Sequence, residues 1–274
     1  MYGRELLYEV YGPKTLLEMS WLEVEEALQV TDIALLPLGS TENHGPHLPL
    51  GSDTFQGTDF ARRVLVKLEE RGIRAVAAPC MPFGVNYHML PFPGSLHVSA
   101  DTLRRVILDV GASLVHHGFR KLALIMGHGG NFATMQVAAQ ELAERHGCRV
   151  LALNWLPYLT AHYHEILTSG QKEGHAGEGE TARMLVSTPR LVRLDRARAH
   201  YPAPPSRPIE ADQHPVYGGG VFRALLSYKE VTPYGNVGDP ARATREAGER
   251  IYELCCEWMA DVIAREFGPA PSLT

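Results

Sequence analysis

Cysteine is scarce in this chain, with four in 274 residues: Cys80, Cys148, Cys255 and Cys256. Their spacing matches neither a zinc ribbon nor a Cys-x-x-Cys redox pair, so reduced, partly buried thiols are expected. Basic charge is not in excess either. The 26 Lys and Arg are outnumbered by 31 Asp and Glu, a net charge of −5, which argues against a nucleic-acid partner. No apolar run approaches the ~18 residues of a membrane span, so no membrane association is expected. Residues Met1 to Glu9 carry acids where a secretory signal needs an apolar core, and a cytoplasmic location is the expectation. There is no internal repeat and no boundary between domains. The remainder, 45% hydrophobic and 21% charged, is ordinary for a globular protein.

What the chain does have is alternation. The short apolar run from Ile33 to Leu38 reads as a buried strand, and Arg74 to Ala78, Lys121 to Met126 and Arg149 to Asn154 read as further strands. Helical patterns fall between and after them. One opens at the capping box Ser20-Trp-Leu-Glu23 and runs to Val30; another spans about Thr54 to Arg71 and stops at Gly72. Ser99 caps a helix to His117, and Phe132 to Arg145, Glu178 to Val186 and about Ala241 to Phe267 complete the set. Strands alternating with helices predict an α/β fold: a single domain over residues 1–274, three-layered α/β/α, with a mainly parallel central sheet. The exception is the Pro- and Gly-rich stretch at about 201–220. Its five prolines exclude a regular helix, and a loop or arm over the active site or a neighbouring subunit is expected.

Three segments carry chemistry. The first, Glu42-Asn-His44-Gly-Pro-His47 followed by Asp53, gathers two acids and two imidazoles within twelve residues just after the first strand. The second is Gly127-His128-Gly129-Gly130-Asn131, after the apolar run that ends at Met126. The third is His175-Ala-Gly-Glu178-Gly-Glu180-Thr181, at the start of a helical pattern. Carboxylates and imidazoles are ligands of hydrolytic divalent metals, and sites in open α/β sheets gather beyond the carboxyl ends of the strands. A lone His-Gly-Gly-Asn turn is weak evidence; three clusters in one chain point to one composite metal site.

Taken together and in order, these segments resemble the signature of the creatininase family of metal-dependent amidohydrolases. Lesser echoes are His88 before Phe92-Pro-Gly-Ser95, and Tyr234-Gly-Asn-Val-Gly-Asp239-Pro240, so the likeness runs from about Leu36 to Thr244. The resemblance implies two divalent ions per chain, Zn, Mn or Fe. Glu42, Asp53 and His128 would hold one and His44, Asp53 and Glu178 the other, with Asp53 as the bridge. Creatinine-hydrolysing members carry a second ligating Glu two residues after the His of the Gly-His turn, with an aromatic between. This chain has Gly129 and Gly130 there. Glu178 is read as supplying the missing carboxylate, and without an aromatic ring at 129 creatinine itself is a poor candidate.

His175 is the candidate general acid, because imidazole titrates near neutral pH. Glu180 is read as orienting a ligand or His175, and His47 as holding the loop. His88, Gly129 and Asn131 are candidates for the substrate pocket, Asn131 also for tying the turn together. The function these residues imply is hydrolysis of a cyclic amide or an N-acyl or formamide C–N bond of a small molecule, not a peptide. Family alternatives are ring opening of a cyclic keto-sugar of inosose type and deformylation of a formamidopyrimidine nucleotide. The last would need cations for a phosphate, and only Lys172, Arg207 and Arg223 offer them. A non-enzymatic metal-binding protein is disfavoured because the full ligand set is present. The resemblance further implies a homohexamer built as a trimer of dimers.

Overall fold

A computed structural model describes residues 7–170, 173–202 and 227–268. Four strands, β1 (Ile33–Leu38), β2 (Val76–Ala77), β3 (Lys121–Met126) and β4 (Arg149–Leu153), form one parallel sheet in the order β2-β1-β3-β4. Parallel neighbours need crossovers, and helices α2 (Ser52–Glu70), α3 (Ala100–His117) and α4 (Phe132–His146) provide them. Helices cover both sides of the sheet. On one, α2 packs on the C-terminal helix α8 (Arg245–Phe267), which also lies against α5 (Leu156–Ile166) and α6 (Glu178–Ser187); α3 and α4 pack on each other. Leu35, Leu124 and Ile125 are wholly buried in this sandwich, each worth about 1.5–3 kcal/mol of apolar burial.

The helix boundaries follow local chemistry. Both halves of the capping box between Ser20 and Glu23 open α1 (Trp21–Leu28), Ser99 Oγ accepts from the Thr102 N–H at the start of α3, and Thr244 caps α8. Some expectations shift. Strand β2 is only two residues long. Helix α2 starts two residues earlier than expected, which moves Asp53 out of the loop and into the first helical turn. The last helix begins at Arg245 rather than near Ala241, because Pro240–Arg242 forms a separate 3-10 turn before the extended Thr244. Helix α5, with a proline in its first turn, and the short α7 (Tyr228–Val231) were not expected from the pattern. Of the Pro- and Gly-rich stretch, residues 203–220 lie outside the described residues. No described helix is long and apolar enough to cross a membrane.

The topology locates the site. From β1 the chain crosses to β2 on one side, then returns through α3 to β3 on the other, so the sheet changes direction between β1 and β3. Ligands of open α/β sheets bind at the carboxyl ends flanking such a switch point. Here Leu38 of β1 pairs with Met126 of β3, which brings the loops that follow them to one level. The seam between them is main chain: a Cβ added at Gly39 would lie 2.8 Å from Thr54 Cα, and one at Gly127 would lie 3.0 Å from the carbonyl oxygens of Leu38 and Asp53. Only glycine lets the start of α2 sit this close to both strand ends.

Candidate metal centre

Six side chains meet above that seam. Glu42 and His44 come from the loop after β1, Asp53 from the first turn of α2, His128 from the end of β3, and His175 and Glu180 from the entrance and first turn of α6. They form three overlapping groups whose ligand atoms lie within 4.8 Å of one another: Glu42, Asp53 and His128; His44, Asp53 and Glu180; Glu42, His44 and His175. Asp53 reaches both sides, with Oδ2 3.0 Å from His128 Nδ1 and Oδ1 3.1 Å from His44 Nε2.

Each imidazole is held by main chain. His44 Nδ1 lies 3.1 Å from the Glu42 carbonyl oxygen, His128 Nε2 3.2 Å from that of Val85, and His175 Nε2 2.6 Å from that of Asn43. A carbonyl oxygen only accepts, so each of these nitrogens carries the proton and the other ring nitrogen presents a lone pair. Those lone pairs face carboxylates: His128 Nδ1 toward Glu42 and Asp53, His44 Nε2 toward Asp53 and Glu180, His175 Nδ1 toward Glu42 and Glu180. Glu42 Oε1 and Asp53 Oδ2 are buried and accept no hydrogen bond among the described residues, although His128 Nδ1 is close to both. Acceptors converging on acceptors need a cation or added protons between them, which is the environment of a divalent metal.

The charge balance agrees. Burial pushes the Glu42 carboxyl up to about 7 against the pull of His128. Burial lowers His44 and His128 as well, but the carboxylates around them outweigh it, Asp53 foremost at His44 and Glu42 at His128, and raise them to about 10 and about 9. Burial works against the Asp53 carboxylate too, yet His44 and His128 hold it well below the usual range. His175 and His47 are lowered to about 4, first by burial and then by the charge of His44.

One expected ligand is elsewhere. Glu178 does not face the cluster: its Oε1 accepts from the Thr168 N–H at 2.8 Å and hydroxyl at 3.0 Å, and its Oε2 from the Ser169 N–H at 2.9 Å. It anchors the loop before α6. Glu180 faces the cluster instead, because successive helical residues turn by about 100° and two residues along a helix point to nearly opposite sides. Asn131 is likewise not a pocket group. Its Oδ1 accepts from the Val85 N–H at 2.9 Å and its Nδ2 donates to the Leu38 and Gly39 carbonyls at 3.2 and 2.9 Å, which pins the turn to β1. His47 holds Thr181 of α6 through Nε2 at 2.9 Å.

Further aromatic groups stand beside the cluster. His88 stacks parallel to His128, with ring centroids 6.2 Å apart, and Tyr228 of α7 stands edge-on to His88 at 5.9 Å and to His175 at 5.3 Å. Tyr228 escaped sequence reasoning; it follows the Pro-rich stretch in no motif, and only the tertiary fold brings it here. Space is open around Gly129, where an added Cβ would meet nothing within 4 Å. At Gly130 a Cβ would lie 2.3 Å from the Val85 carbonyl and 2.5 Å from His128 Nε2, so this turn cannot supply a carboxylate ligand as it stands.

A parallel α/β sheet whose switch point gathers main-chain-anchored imidazoles and buried carboxylates defines a metal-binding protein of the hydrolytic α/β class. The chain belongs to the creatininase family: the family model described as creatinine amidohydrolase matches residues 17–263. It is 31% identical over 236 residues to a mycofactocin precursor peptide peptidase of Mycobacterium ulcerans, covering 84% of this chain and 83% of the relative. It is 29% identical over 275 residues to a creatinine amidohydrolase of Pseudomonas putida, covering 92% and 96%. A solved manganese creatininase superimposes with a TM-score of 0.75 at 27% identity, covering 93% of this chain and all 100% of that one. The family is one of hydrolases, and its fold is the one described above.

Proposed function

We propose that this chain is a metal-dependent hydrolase of amide C–N bonds. A pair of divalent ions, Zn, Mn or Fe, would be held by Glu42, Asp53 and His128 on one side and by His44, Asp53 and Glu180 on the other, with Asp53 shared. The observation that carries this reading is the convergence of three anchored imidazole lone pairs on buried carboxylates. Mixed nitrogen and oxygen donors without thiolate suit those metals. Such ions supply Lewis acidity toward a carbonyl oxygen and acidify water.

The chain's own groups handle protons and orientation. His175 is the most exposed of the three imidazoles, 15% against 0% for His44 and 5% for His128. With Nε2–H committed to Asn43 and burial keeping the ring neutral, the Nδ1 lone pair is the atom that would first accept a proton from the attacking water and then pass it to a leaving nitrogen. Burial keeps the Tyr228 phenol protonated, so it can donate to a substrate oxygen held beside His88 and His175. Against creatinine stands Gly129, which brings no ring of its own where the space is open. The same space admits an extended acyl chain. We therefore favour open-chain amides, formamides and peptide amides included, and drop the expected restriction to non-peptide bonds in view of the similarity to a peptide peptidase.

The test is metal analysis of protein purified without added metal or chelator, followed by a screen of short peptides, formamides, lactams, creatinine and cyclic keto-sugars. About two ions per chain and turnover of open-chain amides are expected. No metal, and none taken up on titration, would overturn the reading; ring-ketone opening without amide hydrolysis would replace it with the C–C hydrolase alternative.

A further inference from the structure

Arginine is almost never fully buried unless something holds its charge. Arg183, one turn beyond Glu180 in α6, is only 1% exposed. Its Nε donates to Gln56 Oε1, from α2 one turn after Asp53, and its guanidinium carbon lies 5.0 Å above the Trp155 ring. Its Nη2 is 3.5 Å from Glu180 Oε1, while its Nη1 has no hydrogen-bond acceptor among the described residues. Glu180 is thus divided between two environments. Oε1 looks inward to Arg183. Oε2 accepts from the Ala176 N–H at 2.6 Å and stands 3.6 Å from His44 Nε2 and 3.9 Å from His175 Nδ1.

We propose that Arg183 is a positioning residue of the metal centre: a buried guanidinium, aimed by Gln56 and Trp155, that draws one oxygen of Glu180 inward so that the other is presented beside His44 and Asp53. This rests on reading the cluster as a metal pair. The need for it follows from Gly130, which leaves the turn after β3 without a carboxylate and gives that task to a residue on the first turn of a helix. A carboxylate there, 21% exposed, is otherwise tied only through Oε2 to the Ala176 N–H, and it can pivot about that bond unless its inner oxygen is held as well. Gln56 and Glu180 tie the two helices that carry Asp53 and Glu180 to one cation, so the spacing between those two donors is set by Arg183.

The test is competition of Mn or Zn against a chromophoric chelator for wild-type, Arg183→Met and Arg183→Lys proteins, with circular dichroism to verify folding. Wild type should take up a first and a second equivalent. In Arg183→Met the first should bind as in wild type and the second about 10–100-fold more weakly, the usual cost of releasing a ligand from the group that holds it. Arg183→Lys, which keeps the charge but not the fork, should weaken the second equivalent by a smaller factor. A folded Arg183→Met protein whose second equivalent is as tight as wild type would overturn the proposal, as would equal loss of both, the mark of a general packing role. Should Arg183→Met not fold, Arg183→Lys decides: selective weakening supports the clamp, and wild-type affinity for the second equivalent overturns it. A wild-type protein with no second equivalent removes the metal pair itself, and the clamp with it.

Discussion

Glu178 and Glu180 are two residues apart, carry the same charge and begin the same helix, yet they do opposite work. Glu178 is bound to the Thr168 and Ser169 loop, and Glu180 faces His44 and His175. Conservative amides separate them. Glu178→Gln should leave metal content unchanged and lower stability by about 1–3 kcal/mol, the range for losing a charged hydrogen-bond acceptor; Glu180→Gln should lose metal from one position with little change in stability. Metal analysis beside urea denaturation checks both, and the reverse pattern would restore Glu178 as the ligand. The sequence made all three motifs legible but could not choose between these two acids, because which of them faces inward depends on the residue at which the helix begins. Tyr228 was invisible for a different reason: its neighbours His88 and His175 are distant in the chain, and no spacing announces them.

At the scale of elements, the strands and long helices were readable because their apolar runs and caps are local. The start of α2 was not, since Gly51 caps it without a side-chain bond and nothing in composition marks the turn. The same limit applies to Asn131, which reads as a site residue from its motif but acts as a strut. Its amide joins the turn after β3 to the ends of β1 and to Val85, the residue whose carbonyl also orients His128. Asn131→Ala would leave the Val85 N–H and the Gly39 carbonyl without these partners, at about 1–3 kcal/mol each. Urea denaturation should register that loss, and metal affinity should fall because His128 is no longer fixed; unchanged stability would mean that the strut carries no load.

Across the whole molecule, the centre couples protonation, cation binding and folding. His44 and His128 are raised to about 10 and about 9 when only protons balance the carboxylates. A group raised on folding stabilises the folded state fully below its unfolded value of about 6.5 and loses that contribution as pH climbs through the raised value. Burial raises Glu42 as well, which acts in the same direction. Metal-free protein should therefore lose thermal stability between about pH 6.5 and pH 10, while metal-loaded protein, whose ligands are already deprotonated, should not. The gap between the two melting temperatures should widen with rising pH; a gap that narrows over this range would contradict the assignment.

The glycine seam bears on how such a protein can change its trade. Gly39 and Gly127 bring main chain against main chain beneath Asp53, whereas the groups that would meet a substrate, His88 and Tyr228, project from separate surface segments. The floor is therefore nearly indifferent to the identity of those two side chains, though not to Val85, whose main chain holds His128 and Asn131. Variation confined to His88, Tyr228 and the exposed Tyr87 and Leu90 can sample new substrates while Val85 and Asn86, which help hold the ion cradle, stay fixed. This makes those four positions the ones to randomise in a directed search for altered specificity.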